Sequence, residues 1–163
     1  MVVFAGTFDP ITKGHESVIN KCVKKHGSCL VVVGENPAKE PLFSEDERVL
    51  FIEKTFSDNP SVKVIKYSEY KDNYADFLAK NGIRTYARGI RNRQDLKYEK
   101  KYAKKNKKIY PTIKTKYIKI KKYKDISSSL VKDLLVSSGD LENYLPEKSI
   151  DLIKKTYQKR LEK

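Results

Sequence analysis

Val2-Val3-Phe4-Ala5-Gly6-Thr7-Phe8-Asp9-Pro10-Ile11-Thr12-Lys13-Gly14-His15 is the stretch from which the rest of the chain can be read. Its first four residues are a short apolar run closed by Gly6, the pattern of a buried strand. Asp9-Pro10 turns the chain, and from Gly14 onward Val18, Ile19, Cys22 and Val23 repeat on one helical face. His15 therefore falls in the first turn of a helix, where unpaired N–H groups and the positive dipole end attract anions. Gly6 and Gly14 allow close approach of a ligand to the backbone. A threonine and a histidine facing that point would add two directed donors to a phosphate. A plain strand–turn–helix connection with an incidental histidine fits these residues equally well. Neither the G-x-G-x-x-G dinucleotide fingerprint nor the Walker A phosphate loop is present in this stretch.

Working outward, Cys29–Val33 reads as a second strand closed by Gly34, and Val62–Ile65 as a third. Thr85–Ala87 reads as a short fourth strand before Arg88-Gly89, and Tyr117–Ile120 as a fifth. Between them, Ser44-Glu45-Asp46-Glu47 has the form of a capping box opening a helix with Val49, Leu50, Ile52 and Phe56 on its apolar face. Residues 72–81 predict a helix stopped by Gly82. Leu130, Val131, Leu134 and Leu135 mark another, ending near Ser138-Gly139. Pro146 starts a last one, with Ile150, Ile153, Tyr157 and Leu161 on one side. Strands alternating with helices imply right-handed crossovers and a mostly parallel sheet. Ligands then bind at the carboxyl ends of the strands, so the loops 6–15, 34–42, 88–93 and 121–129 are where a site is expected.

The 163 residues suit a single domain, residues 1–163, with a core that needs no disulfide or metal staple. Mean hydropathy is −0.66, and no run approaches the ~18 apolar residues of a membrane span. No signal peptide is visible at the start of the chain. Cys22 and Cys29 lack metal-ligand spacing and read as buried, reduced thiols of a cytosolic protein. His26 reads as a surface residue at a helix end. The net charge is +14, yet Lys100–Lys124 holds twelve lysines and no acid, leaving only +2 for the remainder. Interleaved with Tyr102, Tyr110, Tyr117 and Tyr123, that segment could track a nucleic-acid backbone, as in a non-catalytic binding module. Solvated lysines on an outward strand or polar helix face explain it as well. Arginines are only six, and three of them, Arg88, Arg91 and Arg93, fall in one six-residue run, which suits bidentate phosphate recognition.

Gly6–His15 resembles the T/H-x-G-H motif of the nucleotidyltransferase superfamily, and within it the chain is similar to the bacterial phosphopantetheine adenylyltransferases. Three further blocks carry the resemblance in order: Asn36-Pro37-Ala38-Lys39-Glu40-Pro41-Leu42-Phe43, then Arg88-Gly89-Ile90-Arg91 through Asp95-Leu96-Lys97-Tyr98-Glu99, then Ile126-Ser127-Ser128-Ser129-Leu130-Val131-Lys132-Asp133. With Leu141–Pro146 it spans nearly the whole length. Cytidylyl- and nicotinate-nucleotide-transferring sisters differ at Thr12, at the serine run and in lacking the Arg88–Glu99 block.

What the resemblance implies is an α/β, Rossmann-like nucleotide-binding fold with a five-stranded parallel sheet flanked by helices. It also implies transfer of the adenylyl group of ATP to 4′-phosphopantetheine, giving dephospho-CoA and pyrophosphate in coenzyme A biosynthesis. By the same resemblance His15 and Thr7 are catalytic, meeting the α-phosphate. Thr7, Lys39, Tyr74 and Arg88 bind the acceptor. Thr7, Phe8, His15, Gly89, Ile90, Arg91, Glu99, Tyr123, Lys124, Asp125, Ile126, Ser127, Ser128 and Ser129 bind ATP, with Arg91 near its outer phosphates. Mg2+ held mainly by the ATP phosphates, no protein-held metal, a homohexamer, a cytoplasmic location and no membrane or nucleic-acid partner complete the expectation. The chain departs from the family pattern in two places. Ala5 stands where proline is frequent, and Asn73-Tyr74 where two aliphatic residues commonly line the pantetheine arm, which implies a differently shaped acceptor pocket.

Overall fold

The computed structural model describes every residue except Lys39, Asp72, Asn73, Tyr110 and Lys163, and omits the side chains of Tyr102, Lys105, Asn106 and Ile109. Five strands, β1 (Val2–Gly6), β2 (Cys29–Val33), β3 (Val62–Lys66), β4 (Thr85–Ile90) and β5 (Lys114–Lys119), form one sheet in the order β3-β2-β1-β4-β5. Every pairing is parallel. Strand order reverses beside β1, so the crevice of this sheet opens between the segments that follow β1 and β4.

Helices α1 (Lys13–His26), α2 (Glu45–Thr55), α5 (Ser128–Val136) and α6 (Glu147–Leu161) supply the larger core cluster with Val2, Phe4, Val31 and Val33. Helix α3 (Tyr74–Lys80) belongs to the smaller cluster, which takes Val3, Leu30 and Val32. Successive strand residues thus face opposite clusters, and all five residues of β2 are buried. Continuous apolar runs rather than alternating ones are what a strand covered on both faces requires.

Several boundaries differ from the sequence pattern. Arg88, Gly89 and Ile90 belong to β4 rather than to a following loop, because they pair with Tyr117, Ile118 and Lys119 of β5. β5 itself starts at Lys114, three residues before the expected Tyr117, and ends before Ile120. Being an edge strand, it tolerates lysines where a central strand could not. Between them lies α4 (Arg93–Ile109), to which the sequence pattern assigned no element. The buried residues of α2 are Arg48, Phe51, Ile52 and Thr55, so its inward face is rotated from the expected one and Leu50 is exposed. Leu161 is exposed at the end of α6. Residues 72 and 73 of the expected third helix lie outside the described residues. Both cysteines are free and buried. His26 is half-buried at the end of α1 rather than on the surface, with its Nε2 enclosed and without a hydrogen-bond partner among the described residues. Among the described residues no helix is long and apolar enough to cross a membrane.

Candidate active site

The turn after β1 is built from inward-directed side chains. Phe8 takes a left-handed backbone conformation (φ +49) that drives its ring into the core, edge-on to Phe4 at 5.5 Å and to His15 at 5.0 Å. Gly6 leaves room for that ring, since a Cβ there would stand 3.1 Å from Phe8 Cζ and crowd it. Phe8 is thus a wall for His15, and only its backbone is left to meet a ligand.

Thr12 caps α1, and His15 occupies the third helical position, where glutamate or glutamine usually completes a capping box. The Thr12 N–H donates to His15 Nδ1 at 3.2 Å, and His15 N–H donates back to Thr12 Oγ1 at 3.4 Å. An Nδ1 that accepts a proton donor leaves the ring hydrogen on Nε2. Burial against the phenylalanines, and secondarily the Arg91 charge, lowers the His15 pKa from 6.5 to about 4. His15 is therefore a neutral imidazole with one N–H to give, held by its own helix cap.

Asp9 was read in the sequence only as a turn residue, but it ties three segments together. Its Oδ1 accepts from Phe43 N–H at 2.9 Å, and its Oδ2 accepts from Leu42 N–H at 2.9 Å and from Lys132 Nζ at 2.8 Å. The segment after β2 is thereby fastened to the turn after β1 and to α5. Arg48 of α2, also unforeseen, donates through Nη1 to the carbonyls of Thr7 and Gly34, each at 2.7 Å, and through Nε to that of Phe43 at 3.1 Å. The signal for Arg48 was legible, because a charged residue sits at helical spacing from Phe51, Ile52 and Thr55. The signal for Asp9 was not, since its partners are 33, 34 and 123 residues away.

These residues enclose a cleft of about 280 Å3 lined by Thr7, Asp9, Arg48, Ser128, Ser129, Lys132 and the 35–37 and Pro41 segment. Ser127 caps α5 by accepting from Leu130 N–H at 3.1 Å, and Ser128 Oγ donates to Pro10 carbonyl at 2.8 Å. The amino end of α5 is thus anchored to the Thr7–Asp9 turn across the cleft. Asn36 Oδ1 accepts from Ala38 N–H at 3.0 Å, shaping the segment that leads to Lys39, which itself lies outside the described residues. A larger groove of about 740 Å3 lies beside β3 and α3 and holds none of the motif residues.

The remaining expected residues divide into groups. Arg88 and Glu99 meet each other: Nε and Nη2 donate to the two carboxylate oxygens at 2.6 and 2.7 Å, while Nη1 reaches Ala5 carbonyl at 3.3 Å. Burial opposes the charge on Arg88, but the Glu99 bonds outweigh it and its pKa is raised. Arg91 leans back on Asp95 at 2.9 Å. Gly89 serves packing, since a Cβ would stand 3.1 Å from Ile120 Cδ1 and 3.2 Å from Val18 Cγ2. Ile90 is buried. Tyr123 is half-buried, with its carbonyl beside Gly14, and Lys124 and Asp125 are exposed ahead of the half-buried Ile126. Tyr74 stands apart from the cleft. It is buried in the smaller core cluster, its hydroxyl 2.8 Å from that of Tyr86 and its ring edge-on to Tyr67.

A family model described as cytidylyltransferase-like matches residues 3–134. A phosphopantetheine adenylyltransferase of Heliobacterium modesticaldum is 37% identical over 90% of this chain and 86% of its own. One from Wigglesworthia glossinidia brevipalpis is 34% identical over 98% of this chain and 94% of its own. A solved structure from Vibrio parahaemolyticus, assigned provisionally as a nicotinate-nucleotide adenylyltransferase, superposes with a TM-score of 0.73 at 16% identity, covering 98% of this chain and 94% of its own. At that identity the likeness shows the fold alone.

Proposed function

The chain belongs to the phosphopantetheine adenylyltransferase family of cytidylyltransferase-like proteins, and from that premise we propose that it transfers the adenylyl group of ATP to 4′-phosphopantetheine in coenzyme A biosynthesis. The observation that supports the mechanism best is the neutral His15, whose Nδ1 is taken by the Thr12 N–H so that the ring hydrogen is left on Nε2. A terminal phosphate oxygen of the acceptor attacks the α-phosphorus of Mg·ATP. The bond from that phosphorus to the bridging α–β oxygen breaks, and pyrophosphate leaves with both electrons. The acceptor is already anionic at neutral pH, so the protein need not supply a strong base.

What remains is positioning and stabilisation of charge on the α-phosphate oxygens. His15 Nε2–H and the Thr7 hydroxyl donate to those oxygens, and the serines at the amino end of α5 hold the outer phosphates. Arg91 swings from Asp95 to the departing pyrophosphate, and Arg88, with Lys39, faces the acceptor. By the family resemblance, Mg2+ would be carried in on the ATP phosphates and completed by water, with no protein-held metal. We assign the working form as a homohexamer in the cytoplasm, on the family resemblance.

Pyrophosphate release, with 4′-phosphopantetheine, nicotinate mononucleotide and glycerol 3-phosphate offered separately, tests the reading. Release with 4′-phosphopantetheine and ATP is expected. Turnover of another acceptor without it would overturn the assignment.

A further inference from the structure

Arg48 is 2% exposed, and it makes no ion pair with any described carboxylate. A buried cation without a counter-ion is costly unless something repays the lost hydration. Its hydrogen bonds repay part. They go to the carbonyls of Thr7, Gly34, Phe43 and Ser44, three separate segments that together make one wall of the cleft. The other cation of that wall, Lys132, is already matched by Asp9 at 2.8 Å. Arg48 is therefore the one cation among the described residues lining this cleft that has no ion-pair partner, and the second carboxylate of the lining, Glu35, makes no ion pair with it. Arg48 is also bonded directly to the backbone of Thr7.

We propose that Arg48 is a positioning residue of the reaction, its guanidinium fixing the Thr7 turn while its charge is balanced by substrate phosphate. The inference rests on reading this cleft as the phosphate site. Guanidinium geometry is needed for the first role, because its fork reaches three segments at once and an ammonium cannot. Charge alone suffices for the second.

Two variants separate the roles in the full-length protein. Arg48→Met removes fork and charge, and Arg48→Lys keeps the charge and loses the fork. Inorganic pyrophosphate, titrated by calorimetry, probes the charge without requiring turnover. Arg48→Met should weaken pyrophosphate binding by about tenfold or more, whereas Arg48→Lys should stay within about threefold of wild type. In the forward assay Arg48→Lys should lose about tenfold or more in kcat with KM for ATP nearly unchanged.

A purely structural role would lower melting temperature without changing pyrophosphate affinity or the kcat-to-KM split. Wild-type pyrophosphate affinity in Arg48→Met, wild-type kcat in Arg48→Lys, or no pyrophosphate binding by the wild-type protein would overturn the proposal. If Arg48→Met does not fold, kcat and KM of Arg48→Lys decide it. Should the wild-type protein bind pyrophosphate yet fail to adenylylate 4′-phosphopantetheine, the proposed function fails and the Arg48 inference is still read from binding.

Discussion

His15 closes a helix cap through one ring nitrogen, and that decides what the other can offer. Nδ1 closes the helix cap with Thr12, which leaves the proton on Nε2. His15→Ala should lower kcat by ~10²–10³, the usual loss for one transition-state donor, with little change in KM for ATP. His15→Gln keeps a cap-forming side chain and should recover stability but not rate, as thermal melting beside kinetics would show. The low His15 pKa also fixes a pH dependence. Between about 4 and 6.5 the unfolded chain binds the imidazole proton and the folded one does not. The stabilisation is full above 6.5 and disappears as pH falls toward 4. A nuclear magnetic resonance titration showing His15 protonated near its ordinary value of 6.5 would contradict this. Arg88 and Glu99 form a second linked pair. Glu99→Gln should lower kcat/KM by about tenfold, and adding Arg88→Lys should cost much less than the product of the single losses. Multiplicative losses would mean that the two act independently.

At the scale of elements, the cleft depends on segments distant in sequence being tied at their ends. Asp9→Asn removes the Lys132 ion pair and leaves an amide that can accept only part of what the carboxylate accepts. Urea unfolding should show a loss of roughly 2 kcal/mol, and KM for the acceptor should rise because residues 34–43 lose their anchor. An unchanged unfolding midpoint would remove the clamp from the account. Strands were legible in the sequence because burial on both faces writes a continuous apolar run, as in Cys29–Val33. Capping chemistry likewise revealed α2 through Ser44 and Glu47, and both halves of that box are formed. Helix α4 does carry a helical period, but its 17 residues are so rich in lysine that the few apolar positions marking that period are easily passed over. Arg48 is legible from its helical spacing to Phe51, Ile52 and Thr55, whereas Asp9 is not, because its partners are set by tertiary contact rather than by local spacing.

For the molecule as a whole, the lysine-rich segment first suggested a polyanion surface. It resolves into α4 and the edge strand β5, with Lys114, Lys116 and Lys119 exposed along that edge. Charge there discourages another chain from pairing with an open strand. The cleft takes its cations from elsewhere, from Arg48 and from Lys132, which is paired with Asp9, and it lies between the segments that follow β1 and β2, with the amino end of α5 beside it. The central claim is that this cleft carries adenylyl transfer to 4′-phosphopantetheine, and following the label from ATP labelled at the α-phosphate measures it most directly. Label should move into dephospho-CoA with an equal yield of unlabelled pyrophosphate, and His15→Ala should slow the transfer. Label that stays in ATP, or that leaves only with a different acceptor, would contradict that claim.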